Sequence, residues 1–110
     1  MKKVLIIDSD ETSRKYYEYA LLHHDVILMA NNNEALKKFT EEKIDVVIVN
    51  CYPHKDGDFE IAKAIRVLDK RVKISVVSTY QDALKDALAI RCESFHLKPI
   101  SRQELIEITK

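Results

Sequence analysis

The stretch from Ile44 to Gly57, IDVVIVNCYPHKDG, constrains the fold more than any other in the chain. Val46, Val47, Ile48 and Val49 form a β-branched apolar run too short for a helix, which predicts a strand buried on both faces. Polar residues follow immediately. Strands covered on both faces belong to open parallel α/β sheets, where ligands gather outside the carboxyl ends of the strands, and Asn50 occupies such an end. A site in this protein is expected to have Asn50 in its floor.

The rest of the chain fits this architecture. Val4 to Ile7 predicts a first strand ending in the polar cluster Asp8, Ser9, Asp10 and Glu11. Thr12 to Leu22 predicts a helix with Tyr16, Tyr17, Ala20 and Leu21 on one face. A second strand, Val26 to Ala30, precedes a helix that buries Ala35, Leu36 and Phe39, with Asn31 and Glu34 as a capping box. After the central strand come Pro53 and the sole glycine, Gly57, then a third helix with Ile61, Ala62, Ile65 and Leu68 along one stripe. Lys73 to Ser78 predicts a fourth strand, and Gln81 to Arg91 a fourth helix with Ala83, Leu84, Ala87 and Leu88 inward. Glu93 to Leu97 is a short fifth strand stopped by Pro99, and Ser101 with Glu104 caps a last helix containing Leu105, Ile106 and Ile108. Five alternations imply right-handed βαβ crossovers and a doubly wound parallel sheet with helices on both faces.

Composition narrows the function classes. A chain of 110 residues is one domain, large enough to hold a core without disulfides or a structural metal. Eighteen basic residues balance eighteen acidic ones, so no global field recruits nucleic acid or an anionic membrane. Cys51 and Cys92 lie in no metal-binding or redox spacing and read as small reduced core residues. With neither a membrane-length apolar segment nor a signal-peptide pattern, a cytoplasmic location is expected.

The predicted sheet would converge several polar residues on one cleft: Asp8 and Ser9 after strand one, Asn50 after strand three, Ser78 after strand four and Lys98 after strand five. Each also has a plain structural reading. Asp8 or Ser78 could cap a helix, Asn50 could make a turn, and Lys98 could be a solvated charge. Their joint occurrence at four strand ends favours a site.

The motifs LIIDSD, NEAL, IDVVIVN, PHKDG, AIR at 64 to 66, VVST and FHLKPISRQEL resemble those of the response-regulator receiver domains of two-component signalling. The resemblance covers essentially the whole chain. It implies a flavodoxin-like (βα)5 fold with strand order 2-1-3-4-5, and a phosphoryl group passed from a histidine kinase to an aspartate. By the same resemblance Asp8 matches an acidic magnesium ligand, Ser78 the hydroxyl that bonds the phosphoryl group, Phe95 the aromatic switch, and Lys98 the lysine that pairs with the phosphate. Two positions depart from the pattern. Ser9 stands where a second acidic ligand is expected, and Asn50 stands where the phosphoacceptor is expected. The segment also reaches Pro53 one residue early, which predicts a reshaped loop.

These departures have chemical consequences. A carboxamide whose lone pair is delocalised is a poor nucleophile toward phosphorus, so Asn50 is not expected to form an acyl phosphate. Magnesium favours several oxygen ligands including carboxylates, and only Asp8 remains of the family's three; Asp10 fits the first turn of helix one at least as well as a metal site. At most a vestigial magnesium site is expected, with no other cofactor, and an unpaired Asp8 is expected to draw Lys98 across the cleft. His54 reads as an exposed loop residue, His23 and His24 as partners of the helix-one dipole, and His96 as structural.

The favoured reading is a non-enzymatic pseudo-receiver acting by protein–protein interaction. The resemblance places its partner surface on helix four, strand five and helix five, here Tyr80 to Arg91, Phe95 and Ile100 to Ile108. The implied partners are a histidine kinase, an effector domain or a second copy of the chain. The alternative is a working phosphorelay receiver with an unusual acceptor, or with Asn50 engineered from aspartate. The short final helix, Arg102 to Lys110, is consistent with the N-terminal part of a larger regulator.

Overall fold

The apolar runs become strands and the amphipathic stretches become helices in a computed structural model that describes residues 1–30, 32–53 and 57–110. In chain order these are β1 (Lys3–Ile7), α1 (Glu11–Ala20), β2 (Asp25–Met29), α2 (Asn32–Glu41), β3 (Val46–Asn50), α3 (Asp58–Leu68), β4 (Lys73–Ser78), α4 (Leu84–Ala89), β5 (Ser94–Leu97) and α5 (Arg102–Ile108). The strands pair in parallel in the order β2-β1-β3-β4-β5, as expected. The order reverses between β1 and β3. This is the switch point outside which α/β sheets place their sites.

Side-chain alternation divides the core into two layers. Leu5, Ile7, Val47, Val49, Ile74 and Val76 point toward a layer that includes Ala35, Phe39, Ile61, Ile65 and Ala87. Val4, Ile6, Val46, Ile48 and Val77 point the other way, toward Tyr17, Leu21, Leu105 and Ile108. Continuing that period by one residue puts Asp8 and Asn50 on the face covered by α1 and α5. The sheet itself therefore brings the two residues side by side.

Local signals set the helix ends. Asp10 is the N-cap of α1, and Ser101 with Glu104 forms the expected reciprocal capping box of α5. Gly57 precedes α3 at φ 92°, a left-handed conformation that glycine adopts without a Cβ penalty. Asn31, with the capping box expected of it, and His54 lie outside the described residues.

Four expectations fail locally. The fourth helix is broken: residues Gln81–Ala83 form a 3₁₀ turn, the α-helix covers only Leu84–Ala89, and Arg91 follows at φ 55°. The tighter first turn rotates the apolar stripe, so Ala83, Ala87 and Ile90 are buried while Leu88 is 63% exposed. Leu68 is likewise exposed on α3, and the inward place near that end belongs to Arg66. His24 does not complement the α1 dipole, because its Nδ1 accepts the Lys2 N–H at 3.0 Å and burial lowers its pKa, both of which favour the neutral ring.

Arg66 is buried and, among the described residues, has no carboxylate in hydrogen-bond contact; its guanidinium donates to the carbonyls of Ile90 (3.2 Å), Val72 (2.7 Å), Asp69 (3.3 Å) and Arg91 (3.1 Å). These carbonyls end α4 and line the turn before β4. Arg66→Ala leaves them without that donor and is expected to lower the unfolding free energy by about 2–4 kcal/mol, read by urea denaturation. Arg66→Lys is expected to recover little, since a single ammonium cannot reproduce the planar fork.

Among the described residues, no helix is long and apolar enough to cross a membrane.

Candidate functional site

Asp8 leaves β1 with its amide still bonded to Met29 O at 3.0 Å, so the sheet fixes its backbone, and its side chain is almost fully buried. Its Oδ1 accepts the Asp10 N–H at 2.9 Å, and its Oδ2 accepts from Lys98 Nζ at 2.9 Å and, at the 3.5 Å limit, from the Tyr17 hydroxyl. The expected pairing of Lys98 with Asp8 across the cleft is thus present. Beside the carboxylate, burial and the negative charge push the Tyr17 phenol pKa up, which keeps it a neutral donor.

Lys98 is positioned by both ends of its residue. Its N–H donates to Ser78 O at 2.8 Å, continuing the β4–β5 ladder, and the Lys98–Pro99 peptide is cis. Its ammonium also donates to Ser13 Oγ at 3.0 Å, and Ser13 Oγ in turn donates to Asp10 Oδ2 at 2.7 Å. Asp8, Lys98, Ser13 and Asp10 therefore close a ring of hydrogen bonds around the start of α1. The Ser13 bonds hold the Asp10 carboxyl below its usual range. That engagement fits the helix-cap reading of Asp10.

The remaining site residues are arranged differently from one another. Asn50 is buried, and its Oδ1 has no hydrogen-bond partner among the described residues. Ser9 is exposed and forms no side-chain hydrogen bond among them. Ser78 is fully buried and its Oγ accepts the Tyr80 N–H at 3.1 Å, closing a local turn just before the 3₁₀ segment. Phe95 packs against the layer opposite α5. The strand ends thus converge, but the hydrogen-bonded core of the site joins β1, β5 and α1.

His96 holds the sheet to α5. Its Nδ1 lies 2.6 Å from Glu104 Oε2 and its Nε2 2.9 Å from Ser94 Oγ, which lies 2.8 Å from Ser75 Oγ. The His96 contact, with the Ser101 cap, holds the Glu104 carboxyl below its ordinary range. This is the structural role expected of His96.

Sequence reasoning missed Ser13, Tyr17 and the pair Tyr52–Tyr80, whose rings meet edge to face at 6.0 Å and 70°. Each tyrosine stands two residues beyond a strand-end site residue, Asn50 or Ser78, and this matched spacing was the available signal. Ser13 was visible as the hydroxyl three residues after an N-cap aspartate.

Among the described residues, the three positions compared with the family's ligands offer one buried carboxylate already holding an ammonium, one carboxamide oxygen and one exposed serine hydroxyl. Among the described residues no group of three or more His, Cys, Asp or Glu side chains could hold a metal ion.

Comparison with known proteins places this geometry. The response regulator receiver domain profile matches residues 4–110. The alkaline phosphatase synthesis transcriptional regulatory protein PhoP of Bacillus subtilis is 26% identical over 108 residues, covering 94% of this chain and 45% of that protein. The probable transcriptional regulator ycf27 of Guillardia theta is 29% identical over 108 residues, covering 94% of this chain and 42% of that one. The chain spans less than half the length of either. Among solved structures, the chemotaxis protein CheY4 of Vibrio cholerae has a TM-score of 0.86 at 25% identity, covering 97% of this chain and 94% of that one. The response regulator TrrA of Thermotoga maritima, in complex with Mg(2+)-BeF, has a TM-score of 0.85 at 27% identity, covering 97% and 95%. The chain belongs to the response regulator receiver domain family, the signalling module of two-component systems.

Proposed function

We propose that this receiver domain is a pseudo-receiver, a non-enzymatic module that signals by protein–protein contact without accepting a phosphoryl group at position 50. The observation that carries this reading is the pair of departures at the site: a neutral carboxamide where the acceptor is expected, and an Asp8 carboxylate neutralised by Lys98. A phosphoryl acceptor must present a nucleophilic oxygen, and a delocalised amide does so poorly. Among the described residues the site offers few of the carboxylate oxygens that magnesium favours, which supports the reading.

The proposed partner surface is α4, β5 and α5, with a histidine kinase, an effector domain or a second copy as its partner. Leu88 and Leu97 are exposed there, on a groove of about 660 Å³ that also includes Leu84 and Phe95. Apolar side chains in a concave surface favour a protein ligand over a charged polymer.

Intact mass spectrometry after incubation with acetyl phosphate and magnesium tests the central claim. No phosphate adduct is expected; an adduct would favour a working phosphorelay receiver instead. A second measurement follows from the switch residues. A ligand shifts a conformational equilibrium only through differential affinity for its states, so magnesium with beryllofluoride is expected to leave the amide NMR signals of Ser78 and Phe95 in place. Saturable shifts at both would show that the site still takes a phosphoryl mimic.

A further inference from the structure

A cleft of about 550 Å³ opens beside the site, between α1 and the segment joining β5 to α5. The rings of Tyr16 and Tyr17 line it with Pro99 and Ile100, and Lys98 and Thr79 contribute its polar edge. Its volume falls within the roughly 300–1,000 Å³ of small-molecule sites, which combine apolar walls with a few placed polar groups. The Tyr16 hydroxyl donates to Ile100 O at 2.9 Å and ties one wall to the other, so the cleft exists before a ligand arrives.

The polar inventory selects the ligand class. A lysine ammonium has three N–H donors, and Lys98 spends two of them on Asp8 and Ser13. The third has no partner among the described residues, nor do the hydroxyls of Thr12 and Thr79, both on exposed residues that line the cleft. One charge-assisted donor flanked by hydroxyls suits a carboxylate. A cation would meet the ammonium directly, whereas a dianion would bring more charge than Lys98, already shared with Asp8, can balance. The walls require an apolar body. Tyr16, 38% exposed, rests on the buried Tyr17 with ring centroids 6.0 Å apart and planes tilted by 47°, and its outer face and edge are open to another flat ring.

The geometry points to a binding site for a small aromatic monocarboxylate, with its carboxylate on Lys98 and its ring against Tyr16 and Pro99, over a floor made by the buried Tyr17 and Ile100. Lys98 belongs to the cleft and to the Asp8 ion pair together, so occupancy is communicated to the carboxyl end of β1. The inference rests on the shape of the cleft and on Lys98 staying paired with Asp8, as in the proposed function.

Amide NMR titration of the full chain with phenylacetate, phenylacetamide and acetate is the test. Phenylacetate is expected to give saturable shifts at Ser13, Thr79 and Ile100 with a dissociation constant on the order of 1 mM, the ordinary affinity for a ligand of about ten non-hydrogen atoms. Phenylacetamide lacks the charge and acetate lacks the ring, so each is expected to bind at least about tenfold more weakly. Thr12→Trp, on the exposed rim, is expected to fill the cleft and abolish the shifts, while Val67→Ser on the exposed face of α3 is expected to titrate like the natural protein. Absence of saturation by about 10 mM phenylacetate, equal affinity for phenylacetamide, or undiminished binding in Thr12→Trp would overturn the assignment.

Discussion

Lys98→Met is expected to lower the unfolding free energy by about 3–5 kcal/mol, measured by urea denaturation at neutral pH. The Asp8 side chain is 1% exposed and that of Lys98 15%, so removing the ammonium strands a carboxylate where water cannot replace it. The Asp10 amide and the Tyr17 hydroxyl remain as donors, but neither carries a compensating charge. Asp8→Asn in the same background removes the stranded charge and is expected to restore much of the loss, giving a large coupling in the double-mutant cycle. The Lys3–Glu42 pair supplies the contrast. At 3.0 Å it is nearly as short, but its side chains are 30% and 34% exposed, and Lys3→Met is expected to cost less than about 1 kcal/mol. A Lys98→Met protein as stable as the natural one would mean that Asp8 does not depend on its counter-charge.

Rebuilding the missing carboxylates is expected to give a protein that takes up phosphate, where the proposed pseudo-receiver does not. Asn50→Asp alone restores an anionic oxygen at the end of β3, but beside Asp8 on the same face of the sheet, where like charges oppose each other. Little adduct is expected from that variant with acetyl phosphate. Adding Ser9→Asp gives carboxylates at positions 8, 9 and 50, an oxygen donor set of the kind magnesium takes. Intact mass spectrometry is then expected to show a magnesium-dependent phosphate adduct on the double variant and none on the natural chain. A double variant that remains inert would shift the cause of inactivity from these two side chains to the shortened segment before Pro53.

The sequence disclosed the fold because its signals were local and repeated. Val46 to Val49 could be read without knowing any neighbour, and Ser101 and Glu104 satisfy each other across three positions. The approximate convergence of Asp8, Asn50 and Lys98 was also legible, since parallel strands place their carboxyl ends along one edge. Distant partners were harder to see. Arg66 reads as an exposed helical cation until the carbonyls of Val72, Ile90 and Arg91 are placed around it. Leu88 reads as core until a 3₁₀ turn rotates its helix. That Oδ1 of Asn50 finds no partner among the described residues could not have been foreseen, because it reflects the positions of the donors around it.

The hydrogen-bonded ring around Asp8 has a temporal consequence. Its ion pair spans 90 positions of the chain, and the Tyr16–Ile100 bond beside it spans 84. Contacts of such separation close only after much of the intervening chain has been ordered. During synthesis from the amino terminus, Asp8 emerges long before Lys98 exists, so the first βα unit must wait for its counter-charge. The Asp8 carboxylate therefore gains its buried counter-charge only when the final βα unit is in place.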